Sequence, residues 1–172
     1  PLSAAHVQNA LAQTGATLPD KPETADHLAT LAAGSVGDAL RMMTHDGVQL
    51  YGDLMGILAS LPQLDRPRAL ALANAAAQRG ASERFDLLLT LIDIALARLA
   101  RTGASGHPPA AEAATDESKT LMRLAGTPGM GRAWADTAAV VTARARHGQA
   151  VNLDPAALVL DTVFKMQETA AG

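Results

Sequence analysis

Residues 82–102 read SERFDLLLTLIDIALARLART, and their spacing decides the fold class. Phe85, Leu88, Leu89, Ile92, Leu96 and Leu99 recur at intervals of three and four, the period of one helix face. Leu87, Leu91 and Ile94 add a second apolar stripe, which leaves Asp86 and Asp93 on a narrow polar strip. A helix apolar over most of its circumference is either central to a core or covered by a partner. The surrounding chain is built of the same residues. Of 172 positions, 38 are Ala and 24 are Leu, and only Tyr51, Phe85, Trp134 and Phe164 are aromatic. Ala and Leu favour helices, whereas strands draw on the β-branched and aromatic residues that are scarce here. An all-β fold is excluded, a parallel-sheet α/β enzyme is disfavoured, and an all-α chain is expected.

Fourteen Lys and Arg against 17 Asp and Glu give a formal net charge of −3. Affinity for nucleic acid comes largely from phosphate neutralisation, so independent DNA binding is disfavoured. Without cysteine there is no disulfide framework and no thiolate metal site. No signal-peptide pattern is present, and a first residue of Pro1 is what a processed or excised piece would show. The longest apolar run, 87–99, is interrupted by Asp93 and is too short to span a bilayer. A soluble, cytoplasmic protein is expected.

Outward from the long helix, the chain divides into two blocks. The first holds three short helices. Residues 3–13 place Val7, Ala10 and Leu11 on one face, with Ser3 as cap and Gly15 as stop. After a turn at 19–22, residues 23–33 align Ala25, Leu28, Ala29 and Ala32. Gly34 ends that helix and Ser35 caps the next, which runs to Thr44 with Val36, Ala39, Leu40 and Met43 inward. So small a bundle is marginal alone. His45-Asp46-Gly47 forms a turn and the expected boundary, giving units 1–46 and 47–172.

The second block predicts five or six longer helices. Tyr51, Leu54, Met55, Leu58 and Leu61 form a stripe that ends at Pro62. Asp65 and Pro67 open an Ala-rich helix reaching Gln78, and Ser82 opens the long one. Residues 103–115, GASGHPPAAEAAT, lack periodicity and read as a flexible loop. Helices follow over 116–124 and 129–147, the second with Trp134, Ala138, Val141 and Ala145 inward. Asn152-Leu153-Asp154-Pro155 is a helix start; the last helix is expected to bury Leu160, Val163 and Phe164 and to fray near Ala170. No fixed-period repeat supports a solenoid.

No catalytic constellation emerges from the side chains. His6, His27, His45, His107 and His147 are scattered, without the HExxH spacing of a zinc site. The pairs Asp116-Glu117 and Asp20 with Glu23 lie at helix starts, where negative charge complements the dipole. Asp86 and Asp93 read as a solvated face. There is no G-x-S-x-G elbow and no thiol nucleophile. Gly34-Ser35-Val36-Gly37 opens a helix as phosphate cradles do. A Walker loop needs Lys and then Ser or Thr after its last Gly, but Asp38 stands there and would repel phosphate. The four residues therefore read as a turn and an N-cap. Arg144, Arg146 and His147 close a helix, where cations suit the C-terminal dipole.

The stretch Leu31-Ala32-Ala33-Gly34-Ser35-Val36-Gly37-Asp38-Ala39-Leu40-Arg41 resembles the sensor-2 segment of AAA+ clamp-loader subunits. In that family a small three-helix lid follows the nucleotide-binding domain, and a helical collar follows the lid. The two blocks match that order. Asn152-Leu153-Asp154-Pro155 through Leu158-Val159-Leu160-Asp161, and Arg84-Phe85-Asp86-Leu87-Leu88-Leu89, resemble the delta-prime branch of the family in bacterial DNA polymerase III. ATP-binding gamma/tau members carry an arginine after Gly-Ser-x, and here that position is Gly37. The resemblance thus implies a degenerate sensor segment (Gly34, Ser35, Gly37, Asp38), no cofactor and no catalytic residue. It implies gamma/tau and delta subunits as partners through the collar, with DNA met only indirectly and no membrane. Parts of Leu87, Leu91 and Ile94 are expected either in the core or against a neighbouring collar, and with Arg144 and Arg146 they make up the expected interface. Three other readings stand beside it: a gamma/tau lid and collar belonging to an ATPase, an unrelated all-α enzyme, and a helical adaptor.

Overall fold

Short polar caps and prolines start several of the helices. The computed structural model describes residues 21–172 together with His6, Leu11 and Pro19; among them are eight helices and no strand. These are α1 (Pro22–Ala32), α2 (Val36–Thr44), α3 (Gly47–Ser60), α4 (Arg66–Ala76), α5 (Ser82–Ser105), α6 (Glu117–Ala125), α7 (Met130–Ala150) and α8 (Pro155–Ala171). The protein is all-α, as its composition predicts. The helix expected over 3–13 lies outside the described residues, apart from His6 and Leu11.

Three starts behave as the sequence predicts. Ser35 Oγ accepts the Asp38 N–H at 3.2 Å, Asp65 Oδ1 the Arg68 N–H at 3.0 Å, and Asp154 Oδ2 the Ala157 N–H at 3.1 Å. Each satisfies a donor with no partner inside its helix, a contribution of about 1 kcal/mol. Pro22, Pro67 and Pro155 sit in first turns, where a missing N–H costs nothing. Between α1 and α2, Ala33 and Gly34 both take left-handed conformations, with φ of 47° and 87°, and reverse the chain.

Helix α5 is the axis of the molecule, packed by α3, α4, α6 and α7, while α8 closes against α4 and α7. Helices α1 and α2 pack on each other and on α3. Leu28, Leu31 and Met42 belong to the same apolar cluster as Leu50, Leu54, Leu88, Trp134 and Val163. The turn at 45–46, where Asp46 has φ 55°, therefore does not divide the core. The carboxyl end of α3 is held by Arg123 of α6, whose guanidinium donates to the carbonyls of Leu58, Ala59 and Leu61 at 2.7–3.1 Å. A cation there meets the negative end of the helix dipole as well as its orphan carbonyls.

Three expectations change. In α2 the residues buried are Ala39, as expected, and Met42, with Met43 only half-buried. In α8 the buried face is Leu158, Val159, Thr162, Val163 and Met166, which leaves Leu160 half-buried and Phe164 48% exposed. Gly103 does not begin a loop. A Cβ there would lie 2.5 Å from Gly131 Cα, and one on Gly131 would lie 2.6 Å from Ala104 N. The two glycines let α5 and α7 cross backbone to backbone, so α5 continues to Ser105 and ends at Gly106, which has φ 74°.

Candidate functional site

The segment from Gly34 to Arg41 forms a turn and one well-capped helix. Gly37 is exposed, and a Cβ built on it would meet nothing within 4 Å. Asp38 lies 4.0 Å from the Arg41 guanidinium, and Arg41 Nη2 donates to Thr90 Oγ1 at 3.4 Å, tying α2 to α5. The N-terminus of α2 thus presents a carboxylate and an uncharged glycine, an arrangement that favours the helix dipole and disfavours a bound phosphate.

Of the residues expected in the core or at a partner interface, Leu87 and Leu91 belong to the core. Both are 0% exposed, because neighbouring helices of the same chain cover both apolar stripes of α5. Ile94 is half-buried against the core. Arg144 is exposed but committed: its Nε and Nη2 donate to both carboxylate oxygens of Asp161 at 2.7 and 2.6 Å, joining α7 to α8. Arg146 is exposed and lines a groove between α5 and α7 with Asp86, Asp93 and Gln149. The two aspartates do more than face solvent. Asp93 Oδ1 accepts from Thr142 Oγ1 at 2.6 Å and Asp86 Oδ1 from Gln149 Nε2 at 2.7 Å, so both bridge α5 to α7. Large apolar side chains left open include Leu70, Val140, Val151, Leu153 and Phe164.

Glu117 departs furthest from its sequence reading. It is fully buried, not a solvent-side partner of the helix dipole. Its Oε1 accepts from Tyr51 Oη at 2.6 Å and Arg98 Nε at 2.6 Å. Its Oε2 accepts from Arg98 Nη2 at 2.9 Å and from the Ala113 N–H at 2.5 Å. Arg98 Nη2 also donates to Ala111 O at 2.6 Å, so the same two side chains hold the segment between α5 and α6. Burial, then the adjacent Glu117 carboxylate, pushes the Tyr51 hydroxyl far above its ordinary pKa. Four donors fill the lone-pair sites of the carboxylate, leaving it no capacity to act as a base or to ligate a metal. The signal was present in the sequence: Glu117 stands four and seven residues before Leu121 and Leu124, on the buried stripe of α6.

The histidines do not converge. His45 Nε2 is 3.1 Å from Glu83, while His107 and His147 are exposed on different elements. Among the described residues, no three His, Asp or Glu are grouped to hold a metal ion, and no helix is long and apolar enough to cross a membrane. Comparisons with protein-family models, curated proteins and solved structures return no match.

Proposed function

We propose that the chain is the lid and collar of a clamp-loader subunit of the delta-prime branch, a non-catalytic part of bacterial DNA polymerase III. The observation that carries this reading is the α1–α2 junction. A left-handed turn leads into a Ser35-capped helix in the Gly-Ser-x pattern of a lid, while an exposed glycine stands where an ATP-sensing lid presents arginine. A lid of this kind contributes position without sensing nucleotide. The larger all-helical body built around α5 would be the static seal of the loader ring in the bacterial cytoplasm, meeting gamma/tau and delta collars while the ATPase domains move.

Physical support comes from what the core leaves outside. Leu87 and Leu91 are consumed internally, so neighbours would meet exposed apolar groups such as Val151, Leu153 and Phe164. A net charge of −3 suits a part that reaches DNA only through its partners. Light scattering on gel filtration, with this chain mixed with gamma/tau and delta subunits, tests the reading. A stable mixed complex that is weakened by Phe164→Asp is expected. A chain that is folded by circular dichroism yet elutes alone at tens of micromolar would defeat it.

A further inference from the structure

At the carboxyl end of α5 a cavity of about 240 Å³ is lined by Arg98, Arg101, Thr102, Ser105 and His107, with Pro108 and Pro109 as its wall. No carboxylate lines it. The Arg98 fork is taken by Glu117, but Nη1 has no partner among the described residues. Arg101 is exposed, forms no ion pair there, and uses only Nε, on the Ala97 carbonyl at 3.2 Å. Thr102 is 1% exposed, yet its hydroxyl has no hydrogen-bond partner. Buried polar groups are rarely left so, and such an orphan marks a place where an outside oxygen is missing. The carbonyls that would oppose an anion are engaged: Thr102 O accepts the Gly106 N–H at 2.8 Å, and Ser105 O lies 2.8 Å from His107 Nδ1.

We propose that this cavity binds a phosphate group, held by Arg98, Arg101 and the Thr102 hydroxyl. A planar carboxylate matches one guanidinium fork, but the fork of Arg98 is already occupied. The free donors belong to three separate side chains, which suits the three terminal oxygens of a phosphate.

Titration of the full chain with inorganic phosphate at constant ionic strength, followed by amide chemical shifts, tests the site. Saturable shifts confined to residues 98–109 are expected. Thr102→Val, which removes no hydrogen bond within the protein, should weaken binding about tenfold. Arg101→Gln, at an exposed position, should abolish saturation while leaving helicity unchanged. Tighter binding of a nucleoside monophosphate identifies a phosphorylated small molecule as the occupant, and equal or weaker binding identifies the free ion. Shifts that stay linear, an unchanged affinity in Arg101→Gln, or tighter binding of acetate would overturn the proposal.

Discussion

Helix α5 is buried in two different ways. Toward α3 its neighbours are aliphatic: Leu54, Ile57 and Leu58 are fully buried there, and each leucine-sized side chain removed from water contributes about 1.5–3 kcal/mol. Toward α6 it offers Arg98, 11% exposed, to a Glu117 carboxylate that is itself 0% exposed. An aliphatic contact has no direction, so it tolerates any side chain of similar volume. The ionic hub fixes the position of Tyr51, Arg98, Ala111 and Ala113 at once, and losing one member strands the others. The first region sets how stable the bundle is. The second sets where the α5–α6 segment lies.

Substitutions that separate these two modes should rank as follows. Leu91→Asp places an unpaired charge at a fully buried aliphatic site and should unfold the chain, seen as loss of the helical circular dichroism signal. A folded Leu91→Asp chain would mean that α5 is not enclosed on that side. Glu117→Ala leaves Arg98 buried without its partner and should cost about 3–5 kcal/mol in urea unfolding. Tyr51→Phe removes one bond to the carboxylate and should cost about 2 kcal/mol at neutral pH. Leu54→Met, which keeps volume in the aliphatic region, should cost less than about 1.5 kcal/mol. If Leu54→Met proves more damaging than Tyr51→Phe, the contrast between the regions fails.

Alkaline pH sharpens the comparison further. Tyr51 has a folded-state pKa raised above its ordinary value near 10, so the folded chain keeps a proton that the unfolded chain releases. The associated stability is complete below pH 10 and declines as pH rises above it. Tyr51→Phe should flatten that decline in unfolding curves measured from neutral pH upward.

Much of this fold can be read from the chain because its determinants are local. The three-and-four spacing of Tyr51, Leu54, Met55, Leu58 and Leu61 marks a face that the structure buries in full. Ser35, Asp65 and Asp154 each accept an N–H three residues on, an interaction that depends on nothing distant. The errors arise where a residue answers to a partner far away in sequence. Glu117 takes its role from Arg98, 19 residues away, and Tyr51, 66 residues away, and a carboxylate at a helix start has a sufficient local explanation without them. Gly103 looks like a helix breaker until Gly131 is brought against it. Phe164 is apolar, but its neighbours Val163 and Met166 occupy the inward face of α8 and turn it outward. Leu87 and Leu91 could not be divided between core and partner for the same reason: excess apolar surface on one helix does not reveal whether its own chain or another covers it.

The single tryptophan also has an optical consequence. Trp134 on α7 is fully buried and donates its indole N–H to the Leu124 carbonyl at 3.0 Å, at the end of α6. Its fluorescence should be blue-shifted in the folded chain and should move to longer wavelength when α6 leaves α7. Because no second indole contributes, emission followed beside helical ellipticity can distinguish a local release of α6 from collapse of the whole bundle.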